Sequence, residues 1–247
     1  MNLEKINADT ILHGLMSPEK IRKISKTEVT SSRISTDQGC LLDINIKEDN
    51  CFGSLELSRP LIHPDFSNVI YHLLKFTCRK CARVLLPQKL VDSLSEKNQK
   101  ILKTFSKLRT SPSIKKCPHC GAEQKEIQFK EPYAFTENGN SLNPIDIRRR
   151  LEMIPLSDAK LFGVPEDTKP EWMIMTVLPI PPVTVRPKPE DPLNEKLSEL
   201  VSVNLFLRKS WEEGIPVPVI EGLWKALQQH VNEAWNLLPS KQLLNNF

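Results

Sequence analysis

The stretch from Pro170 to Pro187, PEWMIMTVLPIPPVTVRP, constrains the backbone more than any other part of the chain. Trp172 to Ile180 is almost wholly apolar and includes β-branched residues, which reads as a buried strand or extended segment. Pro179, Pro181, Pro182 and Pro187 then fix φ and remove amide donors, so the exit is stiff and extended rather than helical. A core strand followed by a proline-rich linker would satisfy the same pattern. Across the chain, 20 prolines against 8 glycines favour rigid connections and short elements.

With 247 residues the chain has room for one large domain or two small ones. No apolar stretch reaches the roughly 18 residues of a membrane span, and MNLEKINADT lacks the uncharged apolar core of a signal peptide. A soluble intracellular protein is expected, with no membrane partner. In that setting paired cysteines point to a metal rather than to disulfides. The net charge of +4 is unevenly spread: residues 72–130 hold 14 Lys/Arg and 4 Asp/Glu, while the remainder is net acidic. Such a block faces nucleic acid or an acidic protein, or is a solvated helical face.

Cys78-Arg79-Lys80-Cys81 and Cys117-Pro118-His119-Cys120 are two C-x-x-C knuckles with 35 residues between them. Two intervening residues let both sulfurs of a knuckle reach one ion, and two knuckles complete a tetrahedral four-cysteine shell. Zinc fits that shell, and four thiolates leave it no open position, so one structural site is expected. A redox pair in a thioredoxin-like context and an iron–sulfur cluster are the alternatives. Lys80, Arg83, Lys115 and Lys116 lie beside the ligands and favour thiolate. His119 is expected to be exposed and not a ligand. Cys40 and Cys51 read as free or buried thiols, and His63 and His72 as packing or surface residues.

Over 11–35 the pattern predicts a short strand, a turn and a helix with Ser17 as N-cap and Pro18 at its first position. Residues 54–66 alternate as a strand before Pro60, and 67–76 read as a helix leading into the first knuckle. A lysine-rich amphipathic helix or hairpin is expected over about 88–108, and a helix capped by Asn143 over 142–155. After Asp191 and Pro192, the residues Leu193, Leu197, Leu200, Asn204, Leu207 and Trp211 recur at steps of three and four, as in a coiled-coil seam. Residues 212–216 break the helix. Ile220, Leu223, Leu227, His230 and Ala234 form a second seam, so two helices of about 20 residues and about 30 Å should pack antiparallel. An ordinary pair of bundle helices would show the same periodicity. No internal repeat, phosphate loop or nucleophile–base set is present, and no catalytic residue is assigned.

The segments ILHGLMSPEKIRKIS, FGSLELSRPLIHPDF, the two knuckles, LNPIDIRRRLEMIP, PEWMIMTVLPIPPVTVRP and LWKALQQHV occur in an order that resembles the first domain of the largest subunit of multisubunit DNA-directed RNA polymerases, in its archaeal and eukaryotic form. The resemblance covers about residues 10–236. It implies an α+β, helix-rich fold, the polymerase clamp, with a four-cysteine zinc ribbon and an antiparallel coiled-coil hairpin. Residues 1–70 would form the first part of the clamp core, 71–130 the zinc-bearing head, 131–190 the second part of the core and 191–238 the hairpin, with a divergent tail over 239–247.

By the same resemblance the clamp retains DNA in the polymerase cleft, in company with the other polymerase subunits. Arg79, Lys80, Arg83, Lys115, Lys116, Arg148, Arg149 and Arg150 are the candidates for sequence-independent phosphate contact. The hairpin tip, Trp211, Glu212, Glu213, Gly214, Ile215 and Pro216, would receive a NusG-type elongation factor and an initiation factor. The location implied is the cytoplasm for an archaeal protein and the nucleus for a eukaryotic one. An earlier zinc site of the family is shortened here, with only Cys51 near its last ligand, and KPEDP abbreviates a longer acidic turn. The family's magnesium-binding aspartate loop lies beyond the position of Phe247, and no such cluster occurs here, so the chain alone is expected to be inactive as part of a nucleotidyltransferase. Two other readings remain: a free clamp-like paralogue that titrates transcription factors, and a stand-alone zinc-ribbon nucleic-acid binder.

Overall fold

The computed structural model describes residues 15–43, 52–96, 114–165, 167–183 and 186–238. The expected strand near 11–14, the lysine-rich stretch over 97–108, Cys51 and the tail from 239 lie outside the described residues. In chain order the elements are α1 (Pro18–Ile24), β1 (Ser25–Glu28), β2 (Phe52–Ile62), α2 (Ser67–Phe76), α3 (Gln88–Glu96), β3 (Ile127–Lys130), β4 (Ala134–Glu137), β5 (Asn140–Leu142), α4 (Pro144–Glu152), α5 (Leu156–Lys160), β6 (Ile174–Ile180), α6 (Pro192–Glu212) and α7 (Val217–Leu237), with 3-10 turns at Pro64–Phe66 and Pro170–Met173. The fold is mixed α and β, with small sheets. No described helix is long and apolar enough to cross a membrane. Two compact units emerge, one over Asp65–Ile174 and one built from Met16–Pro64 and the chain from Met175 onward.

In the first unit, α2 buries Val69, Ile70, Leu73 and Leu74 along one stripe. Strands β3, β4 and β5 form an antiparallel meander. Its second turn is Asn138-Gly139 with φ of 50° and 81°, the positive-φ pair that a tight hairpin requires. Tyr71 stacks on Phe129 at 5.8 Å and Phe129 on Phe135 at 4.8 Å, joining α2 to the meander. Asn143 caps α4 by accepting from the Asp146 N–H at 2.9 Å, and Pro144 occupies the first turn as expected. His72 is buried beside Tyr71 and Phe76.

The second unit is a sheet in the order β1-β2-β6 with α6 and α7 against it. Ser17 Oγ accepts from Lys20 N–H at 3.0 Å and starts α1 as expected. The helix is shorter than the sequence suggests: it ends at Ile24, and Ser25–Glu28 is a strand paired in parallel with β2. Ser25 and Thr27 are weak helix formers, and the pairing with β2 takes them into a strand. In the loop that follows, Gly39 adopts φ +76°, and an added Cβ would come within 2.6 Å of Thr30 Oγ1. Gly39→Ala is therefore expected to cost about 1–2 kcal/mol for the left-handed backbone alone, read as a fall of several degrees in thermal midpoint. Cys40 is a buried free thiol, as expected.

Strand β2 runs through Pro60, where the alternation pattern had it stop. The reason lies on one edge of the strand. Residues 54, 56, 58, 60 and 62 present their amides and carbonyls to the same side. Val29 N–H donates to Ser54 O at 2.7 Å, where β1 ends. Beyond it, side chains from α6 and α7 take over. Asn204 Oδ1 accepts from Ser58 N–H at 2.8 Å while its Nδ2 donates to Glu56 O at 3.0 Å. Arg208 donates to Glu56 O at 2.8 Å and Trp224 Nε1 to Pro60 O at 2.8 Å. Gln228 Oε1 accepts from Ile62 N–H at 2.7 Å and its Nε2 donates to Ile62 O at 2.9 Å. Pro60 offers only a carbonyl on this edge, and Trp224 uses it, so the missing N–H costs nothing.

Trp172 and Met173 belong to a 3-10 turn, and the apolar run becomes a strand at Ile174. Beyond β6 the proline-rich exit is pinned by Arg186, which is wholly buried. Its Nε donates to Pro181 O at 2.9 Å and its Nη1 to Asn194 Oδ1 at 2.7 Å. Burial pulls this guanidinium down to about 10, against the attraction of Asp191.

Helices α6 and α7 have 21 residues each. Lys196 Nζ, near the start of α6, lies 3.2 Å from Glu233 Oε2, near the end of α7, so the two run antiparallel. Leu193, Leu197, Leu200, Asn204 and Leu207 are buried between them and the sheet, as are Ile220, Leu227 and Ala234. Trp211 departs from the predicted seam: it is 57% exposed, and the Arg59 guanidinium stacks on its ring at 3.7 Å. Leu223 and His230 are only partly buried.

Candidate metal centre

The two knuckles fold by the same rule. In the first, Cys78 N–H donates to Arg83 O at 2.8 Å and Ala82 N–H to Cys78 O at 2.9 Å. In the second, Cys117 N–H donates to Ala122 O at 2.9 Å and Gly121 N–H to Cys117 O at 3.0 Å. The residue after the second cysteine has positive φ in both, 55° at Ala82 and 71° at Gly121. This turn aims the amide two residues on at the first sulfur: Lys80 N–H to Cys78 Sγ and His119 N–H to Cys117 Sγ, each at 3.4 Å. Isolated bridges, Thr77 with Val84 and Lys116 with Glu123, close each ribbon.

All four sulfurs lie within 4.8 Å of one another. Cys78 Sγ is 3.6 Å from Cys120 Sγ, and Cys81 Sγ is 3.7 Å from Cys117 Sγ. A disulfide would need about 2.05 Å. Four sulfurs at about 2.3 Å from a tetrahedral zinc stand about 3.8 Å apart, so the donor set fits zinc and not a covalent pair. Cys78, Cys81, Cys117 and Cys120 are thus brought together as the sequence predicts, and they can hold one metal ion. Such an ion would draw the two knuckles, distant in sequence, into one folded unit.

Without a cation the thiols do not ionise alike. Burial works against the Cys78 thiolate, but hydrogen bonds from the backbone of Cys81 and Lys80 and from the Cys117 and Cys120 thiols outweigh it and bring that thiol down to about 6. Cys81 is pushed up to about 12 by burial and by the neighbouring thiols, and Cys117 is raised for the same reasons. One negative charge is accommodated and further ones repel, so a dication is what makes four thiolates compatible.

Three supporting residues escaped the sequence reading. Gln124 Nε2 donates to Cys78 Sγ at 3.3 Å while its Oε1 accepts from Arg79 N–H at 3.1 Å. A polar residue just past the second knuckle is the only local hint of this role. Asp158, buried on α5, accepts from Arg83 Nε at 2.8 Å and Val84 N–H at 2.9 Å, the latter a contact 74 residues distant with no local signal. His119 is half-buried rather than exposed, because its Nε2 sits 2.9 Å from Val84 O and ties one ribbon to the other.

The eight candidate basic residues fall into two groups. Arg79 and Arg150 both pair with Glu137, at 3.4 and 3.0 Å, and Arg150 also donates to Leu74 O. Arg83 pairs with Asp158, and Arg148 with Glu152 at 2.9 Å and the carbonyl of Ile174. Lys80, Lys115, Lys116 and Arg149 are exposed. At the turn between α6 and α7, Trp211, Glu212, Glu213, Gly214 and Pro216 are exposed and Ile215 half-buried.

Four cysteine sulfurs gathered from paired knuckles define a class of small ribbon modules able to hold one metal ion. Residues 5–241 match the family model described as RNA polymerase Rpb1, domain 1. The chain belongs to this family, the N-terminal region of the largest RNA polymerase subunit. It is 36% identical over 97% of its length to DNA-directed RNA polymerase subunit Rpo1N of Methanothermobacter thermautotrophicus, of which it spans 32%. It is 33% identical over 92% of its length to the Rpo1N subunit of Sulfolobus acidocaldarius, again spanning 32% of that protein. The chain thus covers about a third of the length of these two relatives.

Proposed function

We propose that this chain is the clamp portion of a DNA-directed RNA polymerase largest subunit, holding DNA in the cleft and docking transcription factors, with no catalytic centre of its own. The observation that carries this reading is the family match over 5–241, which encloses both the cysteine cluster and the α6–α7 pair. The cluster would hold one structural zinc, and magnesium chemistry would reside in the rest of the polymerase. The α6–α7 pair would be the clamp's coiled-coil hairpin, with its acidic exposed turn, Glu212 and Glu213, meeting a NusG-type elongation factor and an initiation factor. The archaeal relatives favour the cytoplasm as its site of action.

Phosphate contact falls to Lys80, Lys115, Lys116 and Arg149, because Arg79, Arg83, Arg148 and Arg150 already have protein partners. Co-expressed with the other polymerase subunits, the tagged chain is expected to co-purify with them. Recovery of a transcription factor without any polymerase subunit would replace this reading with factor titration. In the assembled complex, joint substitution of Lys80, Lys115 and Lys116 by alanine should weaken DNA retention, and should lower the slope of log affinity against log salt by roughly 0.9 per lost contact. An unchanged slope would remove these lysines from the DNA path.

A further inference from the structure

We propose that Glu199, His230 and Glu233 form a second divalent-metal site, suited to a first-row transition ion such as zinc and placed across the two long helices. The inference stands on this cluster alone and does not depend on the polymerase reading. One imidazole and two carboxylates, from α6 and α7, place their ligand atoms within 4.8 Å of one another. His230 Nδ1 lies 3.4 Å from Glu199 Oε2 and 4.0 Å from Glu233 Oε2. This nitrogen is buried, yet makes no hydrogen bond. A buried ring nitrogen that faces two carboxylates without donating to either has its ligand face turned toward a cation position. Donors held at about 2.0–2.2 Å from one ion stand roughly 3.0–3.5 Å apart, so modest side-chain rotation closes the set.

Two neighbours support the site. Gln229 Nε2 donates to Glu233 Oε1 at 2.8 Å, which leaves Oε2 directed at the cluster. Lys196 Nζ sits 2.8 Å from Glu199 Oε2 and 3.2 Å from Glu233 Oε2, so an ammonium already occupies the negative well between the helices. It is a third exposed on a flexible stem and can leave for water. A transition dication brings twice the charge and also uses the imidazole lone pair, which an ammonium cannot. Mixed nitrogen and oxygen donors favour zinc, nickel, copper or iron over magnesium and calcium. Three protein ligands leave coordination positions for water.

The test first loads the full chain with one equivalent of zinc to fill the cysteine cluster, then titrates it with Co2+ and follows visible absorption. One further equivalent should bind, with weak ligand-field bands and none of the intense near-ultraviolet charge transfer of thiolate ligation. His230→Gln should weaken this binding by roughly tenfold or more, and Glu233→Gln should do the same if the histidine variant fails to fold. Lys196→Gln should bind Co2+ more tightly, because the competing ammonium is gone. A purely structural ion-pair network predicts no cobalt uptake at all. No further equivalent in the native chain, unchanged affinity in His230→Gln, or weaker binding in Lys196→Gln would each overturn the proposal.

Discussion

If the four cysteines hold zinc as proposed, Cys117→Ser is expected to abolish that binding and the folded state of both knuckles together. A structural zinc supplies about 10–16 kcal/mol of binding free energy that is also folding free energy. The buried cluster at the site itself is small, Cys78, Leu85 and Cys117 with Cys81, Ile114 and Ala122 partly covered, so the metal would supply much of what joins the two ribbons. After dialysis against a weak chelator, the native chain should retain about one zinc per molecule and the variant close to none. Backbone amides from Thr77 to Val84 and from Lys116 to Glu123 should then exchange rapidly with solvent. Cys40→Ser is the control, since this buried thiol stands apart from the cluster and should leave zinc content unchanged. Retention of a full equivalent in Cys117→Ser would remove the assignment of these four sulfurs.

The second large effect is expected from Gln228→Met. Gln228 is buried and satisfies both the amide and the carbonyl of Ile62. Methionine fills nearly the same volume but leaves both groups without a partner, each at about 1–3 kcal/mol. The sum is about 2–6 kcal/mol, or roughly 4–24 °C in thermal midpoint for a chain of this size. Gln229→Ala, one residue on and exposed, should change the midpoint little. Equal midpoints for Gln228→Met and the native chain would show that the β2 edge finds other partners.

Local chemistry made much of this legible. Ser17, Asn143 and Asp191 accept from first-turn amides, and a proline follows each cap, so three helix starts stand where the residues place them. The two knuckles were legible for the same reason: a C-x-x-C spacing carries its own geometry. What escaped is what depends on partners far along the chain. Ser25–Glu28 becomes a strand only because Phe52–Ser54 lies beside it. Pro60 stays in a strand only because Trp224, 164 residues on, takes its carbonyl. Asn204 looked like one polar member of a helical seam, yet its amide serves β2. Arginines counted as surface charge proved to be paired, since Glu137 and Asp158 carry no mark in the sequence of the guanidiniums they will meet. Asn138-Gly139, by contrast, was a readable hairpin signal that charge and metal patterning overshadowed.

The covering of β2 by Asn204, Arg208, Trp224 and Gln228 has a consequence for solubility. An uncovered strand border recruits strands from other molecules. Here that border is shielded by side chains that arrive about 146 residues or more after it in the chain. Until α6 and α7 have been made and folded back, the nascent polypeptide carries an open template for self-association, and any piece cut before Pro192 would carry it permanently.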